Sequence, residues 1–233
     1  MPFLDDTSPR DEPRRPAWAA FATIADQVER LVVANVGWAL VLAPGVVALG
    51  FPELAGWLRI VLGLVSATLL PLATAVLFGL AREACEGQHI DVGLARELAR
   101  ELGAASLRTL APLYGTFGVL VWAAVAATAA GLAPLVTVLT LAVLVWSVCA
   151  TYWGPLFVAD PALPPGRLAA EAARLVWRHP ERTIGTWLLA GMFLLVGVVS
   201  IAGLVLIVPM LVAVAQTHRL RDLRAVVSTP VSR

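Results

Sequence analysis

The stretch from Ile184 to Gln216 reads IGTWLLAGMFLLVGVVSIAGLVLIVPMLVAVAQ, and no formally charged residue occurs between Arg182 and Arg219. As a single helix it would run roughly 50 Å at about 1.5 Å per residue. A bilayer's hydrocarbon core is only about 30 Å thick. Whether this segment crosses a membrane once or twice decides which side the C-terminus faces, and with it the topology of the whole chain.

The surrounding composition makes a membrane the natural frame. Of 233 residues, 59% are hydrophobic and 14% charged, and the mean hydropathy is +0.83. A soluble domain carries about 25% charge. Several apolar runs reach about 18 residues, the threshold for a transmembrane helix. All 17 basic residues are Arg, and the net charge of +1 gives no global attraction to nucleic acid. Cys85 and Cys149 are too few and too far apart for a disulfide framework. Residues 1–16 mix acid, base and Pro without the basic-then-apolar order of a signal peptide, and read as a disordered tail. Residues 17–224 form the predicted transmembrane domain and 225–233 a flexible C-terminal tail.

Four further apolar blocks are plain, at about 31–50, 58–80, 110–130 and 134–158. Polar segments of helical periodicity lie between them. Trp18, Phe21, Ile24, Val28 and Leu31 share one face. Leu94, Leu98 and Leu102 form a second apolar face, away from Arg96, Glu97, Arg100 and Glu101. In the third segment Arg167, Glu171, Arg174 and Arg178 oppose Leu168, Ala172 and Leu175. Each pattern predicts an amphipathic helix lying along the headgroup boundary. They begin near 17, 93 and 167, so spacing alone predicts a threefold plan of interfacial helix followed by transmembrane hairpin.

The Arg distribution answers the opening question. Four Arg lie before residue 31, four in 82–108, four in 159–183 and four from 219 onward. The short connections near 51–57 and 131–134 carry none. Cytoplasmic loops hold the Arg excess, so the final stretch must cross twice, with a turn near Ser200–Gly203. The prediction is an all-α bundle of six transmembrane helices in three hairpins, with both termini inside. Trp18, Tyr152, Trp153, Trp177 and Trp187 are placed at the inner interface, whereas Trp38, Trp122 and Trp146 are placed deeper as packing residues.

Inside the membrane the polar inventory is small. Pro44, Pro71, Pro112, Pro155 and Pro209 each remove a helical donor. Such breaks mark substrate sites in many transporters, although Pro is also simply more frequent in membrane helices. Asn35, with Pro44, Pro71 and Thr74, forms the candidate intramembrane polar site. Arg96, Arg100, Arg167, Arg174 and Arg178 are candidates for lipid contact. Thr68, Thr74, Thr116, Thr128, Thr137, Thr140 and Ser147 are expected to bond to their own helices. No carboxylate lies within a span to couple ions. No nucleotide or hydrolase motif occurs, and no cofactor is implied. Cys85, Glu86, His89 and Asp91 have a metal-like spacing, but Gly87 interrupts the helix that would align them; a solvated loop is the reading adopted.

The blocks NVGWALVLAPGVVALG and PLATAVLFGLAREACEGQHID resemble the YesL-like membrane proteins, a bacterial family of unknown function. The resemblance lies in Asn35 with Trp38, and in Pro71 with Thr74, Ala75, Arg82 and Gly87. It implies a multi-pass plasma-membrane protein found alongside carbohydrate uptake systems of the ABC type, and it carries over no catalytic residues. The leading expectation is therefore a non-enzymatic accessory or assembly partner of such a system, contacting the bilayer and an ABC permease. A small transporter or channel with Pro-broken helices is the alternative, and a membrane enzyme the third reading.

Overall fold

The structure, a computed structural model, describes residues 28–88, 90–199 and 207–228. The 1–16 tail, the amphipathic positions Trp18, Phe21 and Ile24, His89, the turn near Ser200–Gly203 and residues 229–233 lie outside that range. Among the described residues all regular structure is helical: α1 Val28–Gly50, α2 Gly56–Cys85, α3 Val92–Ala129, α4 Ala133–Ala150, α5 Trp153–Ala159, α6 Pro165–Arg178, α7 Pro180–Val199 and α8 Val208–Ser228. Among the described residues, four segments are long and apolar enough to cross a bilayer: Glu29–Gly50, Gly56–Cys85, Val92–Ala129 and Ala133–Ala159. α8 runs to Ser228, past the start expected for the C-terminal tail.

Two glycines make the sharp turns. Gly87 (φ 76°) and Gly131 (φ 71°) occupy the left-handed region, where a Cβ is penalised. After each, the backbone closes in the Schellman pattern. Gly87 N–H donates to the Ala84 carbonyl and Gln88 N–H to that of Glu83; Gly131 N–H donates to Thr128 and Leu132 N–H to Ala127. Asp91 then starts α3, its Oδ1 accepting from Leu94 N–H at 2.7 Å, as an N-cap should.

The decisive stretch doubles back. Arg219 Nε donates to Thr186 Oγ1 at 3.0 Å although 33 residues separate them, whereas one straight helix would hold them roughly 50 Å apart. Ile207 lies in a turn, and α7 and α8 pack side by side.

The amphipathic faces fall where periodicity put them, but their disposition differs. Leu98, Leu102, Leu168 and Ala172 are buried, while Arg96, Glu97, Arg100, Arg167, Arg174 and Arg178 are exposed. The second amphipathic segment is not a separate interfacial helix, because α3 runs unbroken through Pro112. The reason is packing: α3 lies along α2, with Leu98 against Gly79, where a Cβ would stand 3.0 Å from Leu98 Cδ1. The third does form its own helix, α6, which ends as expected at His179, whose N–H donates to Leu175, just before Pro180. The fourth apolar block is likewise two helices. Pro155 has no N–H and crowds the carbonyl of Thr151, and the chain breaks at Thr151–Tyr152.

The hydrophobic core gathers at the Arg-bearing end of the bundle. It comprises the last turns of α2, Leu98–Leu113 of α3, Tyr152–Val158, Leu168 and Ala172 of α6, and Met210–Leu223 of α8. Between residues 36 and 65 only Ala48 is buried, and between 114 and 150 only Ala127. The far ends of the first two hairpins therefore present apolar side chains outward, a surface suited to lipid. Three aromatic placements are corrected accordingly. Tyr152 and Trp153 are fully buried in the core rather than at an interface, and Trp122 is exposed. Trp146 does pack inside, edge-on to Trp153 with ring centroids 5.4 Å apart.

Candidate functional site

Several polar side chains among the described residues serve the ends and breaks of other helices. At Pro44 the α1 backbone loses a donor, and the repair comes from α2. Gly45 N–H donates to Ser66 Oγ at 2.7 Å, and Ser66 Oγ–H donates to the Val41 carbonyl at 3.0 Å. The hydroxyl thus bridges the two groups that a regular helical turn would join directly, the kind of rescue that lets a membrane helix carry Pro. Gly45 permits the approach, since a Cβ there would meet Ser66 Cβ at 3.0 Å.

Asn35 serves a helix start in the same way. It is 1% exposed, and its Oδ1 accepts from Met210 N–H at 2.9 Å. Met210 sits in the first turn of α8, where N–H groups have no partner in their own helix. α8 begins inside the bundle, with Val208, Pro209 and Met210 all buried. A cap from α1 therefore replaces the water that a surface helix would use.

The helix C-termini are capped across the bundle by guanidinium groups, matching cations to the negative end of the helix dipole. Arg59 Nε donates to the Ala48 carbonyl near the end of α1 at 2.9 Å. Arg82 Nη1 donates to Val158 at the end of α5 at 3.0 Å, and the same side chain pairs with Glu83 at 2.8 Å. Arg221 of α8 donates to the Cys85 carbonyl at the end of α2 at 3.1 Å and pairs with Glu86. These last groups line a small cleft of about 270 Å³ with Phe78, Pro155 and Thr217. Next to it, burial pushes the His218 imidazole below its ordinary range; Arg221 adds to the effect and Asp222 opposes it.

Neither this cleft nor the apolar groove of about 530 Å³ between α1, α2 and α3 is lined by Asn35, Pro44, Pro71 or Thr74. Pro71 and Thr74 are buried within α2. Thr74 lies beside the Tyr114 phenol of α3, so it sits at the contact between the two helices. Thr68, Thr116, Thr128, Thr137 and Ser147 do bond to carbonyls of their own helices. Of the metal-like cluster, Glu86 pairs with Arg221 and Asp91 caps α3; among the described residues no three His, Cys, Asp or Glu side chains converge.

Sequence reasoning passed over Ser66, Arg59, Arg82 and Arg221 as structural groups. The available signal was position: Ser66 lies opposite Pro44 across a tight hairpin, and Arg59 and Arg82 lie near the ends of their own helix. No protein-family model matches this chain, and neither a curated protein nor a solved structure matches it.

Proposed function

We propose that the chain is a six-span protein of the bacterial plasma membrane with both termini in the cytosol. On this reading it acts without catalysis, as an accessory or assembly partner of a carbohydrate ABC transport system. The turn-back of 184–216 supports two further crossings by α7 and α8, and the even count keeps every Arg-bearing segment inside. The observation that carries the accessory reading is the use made of the polar groups. Asn35 and Ser66 each hydrogen-bond to the backbone of another helix, which is the behaviour of structural glue. The ABC partner follows only from the resemblance to the YesL-like proteins.

A second reading, a small transporter, is favoured by the start of α8 inside the bundle at Pro209, because interrupted helices frame many transport sites. Purification in mild detergent separates the two. Retention of an ABC permease supports the accessory role; solute flux in liposomes holding this chain alone overturns it. Topology is tested separately with a reporter fused after Arg233: labelling from outside intact cells refutes the six-span plan.

A further inference from the structure

The outward face of α6 is unlike any other polar surface among the described residues. Arg167, Ala170, Ala173, Arg174, Trp177 and Arg178 form one exposed stripe at helical spacing. The opposite face is fixed by Leu168 and Ala172, both 0% exposed. The helix cannot swing away from the bundle. Its leading loop is tied down by Thr109 Oγ1, which donates to the Leu163 carbonyl at 3.0 Å, and only His179 separates its last residue from α7. Trp177 is 87% exposed, more than any other large apolar side chain described. It lies on a 14-residue helix that carries three Arg and a Glu, too short and too polar to cross a bilayer, so the hydrocarbon layer does not account for it. The outward apolar surface of α7 resumes at Ile184, two turns further on, which places the indole just beyond that layer.

Charge separates α6 from the other exposed helix with paired Arg. On α3, Arg96 and Arg100 alternate with Glu97 and Glu101, all exposed, so these turns are neutral, and Arg108 lies alone two turns further on. On α6 three Arg face the single half-buried Glu171, with Glu181 and Arg182 beyond the helix end cancelling one another. A rigid, net-positive stripe beside an exposed Trp matches a membrane surface of negative charge, with guanidinium groups on phosphates and the indole among the headgroups. We propose that α6 is a binding site for anionic phospholipid headgroups, with Arg167, Arg174 and Arg178 holding phosphate and Trp177 fixing the depth. This deepens the proposed membrane placement and rests on it. Lipid binding by the purified protein is nonetheless read independently of which side α6 faces.

The test is native mass spectrometry of the full chain in micelles, titrated with phosphatidylglycerol or phosphatidylcholine. Tighter binding of phosphatidylglycerol is expected, and R174Q/R178Q should weaken it by roughly ten- to thirty-fold, at about one guanidinium's surface attraction per Arg removed. R174K/R178K should keep most of the affinity, which separates lost charge from lost fold, and R96Q/R100Q should change it less than about two-fold. Equal affinity for the two lipids, or a phosphatidylglycerol preference that survives R174Q/R178Q, overturns the site. Loss of a co-purifying protein in that variant with lipid binding unchanged overturns it in favour of a protein partner.

Discussion

Replacing Asn35 with Leu tests the mode of assembly most directly. The two side chains are close in size, so packing around the site is largely kept, while the acceptor for Met210 N–H (2.9 Å) disappears. Three magnitudes bear on the cost. Loss of a helix N-cap is worth about 1 kcal/mol. A buried donor left without a partner costs about 1–3 kcal/mol. Side-chain hydrogen bonds between membrane helices average only about 0.6 kcal/mol, because the separated helices find other partners. That discount applies weakly here. A backbone N–H in the first turn of a helix has no intrahelical substitute, and Asn35 is buried with α8 against it. The expected destabilisation is therefore about 1.5–2 kcal/mol. The assay is reversible unfolding in mixed detergent–SDS micelles, paired with hydrogen exchange at Met210 and Leu211. Exchange at Met210 should accelerate roughly ten- to thirty-fold, since about 1.4 kcal/mol corresponds to a factor of ten. A loss below about 0.3 kcal/mol with unchanged exchange would refute the cap and leave Asn35 free for another role.

Three more outcomes are expected. Gly154→Ala should cost about 1–3 kcal/mol by overpacking, because its Cβ would fall 2.2 Å from the buried Phe78 ring; an unchanged thermal midpoint would show that the ring yields freely. Ser66→Ala should cost about 1–3 kcal/mol by orphaning Gly45 N–H and the Val41 carbonyl, and adding Pro44→Ala should recover much of the loss by restoring a regular turn. His218 titrates below its usual range in the folded chain through burial, so the unfolded chain binds its proton first. Its contribution is fully present above about pH 6.5 and is lost as the pH falls through the lower folded value. Stability measured between pH 7.5 and 5 should decline, and His218→Gln should flatten the lower part of that profile.

The helices that lie partly in water were the ones legible in sequence. Leu98, Leu102, Leu168 and Ala172 were placed correctly because one side of α3 and α6 meets solvent and the other the core, which imprints a period of 3.6. Within the spans that signal vanishes, since lipid tails are as apolar as a protein interior. Hydropathy therefore could not distinguish Trp122, which is exposed, from Trp153, which is fully buried. The expected separate helix for the second amphipathic segment failed for a related reason: periodicity reports which face is apolar, not whether that face rests on a bilayer or on α2. The capping roles of Arg59, Arg82 and Arg221 were hidden because each acts on a helix distant in sequence, and the turn-back of 184–216 was recovered only through the bookkeeping of Arg on either side of it.

A core collected at one end, with α8 as a wall of it, has a consequence during synthesis. Met210, Val214 and Leu223 complete contacts whose other halves belong to α2 and α5, yet they are the last of those groups to leave the ribosome. The earlier helices would wait with the ends that build the core unsealed until α8 arrives. A nascent chain cut short before Val208 would insert and still present an open, apolar mouth for quality-control proteases to recognise.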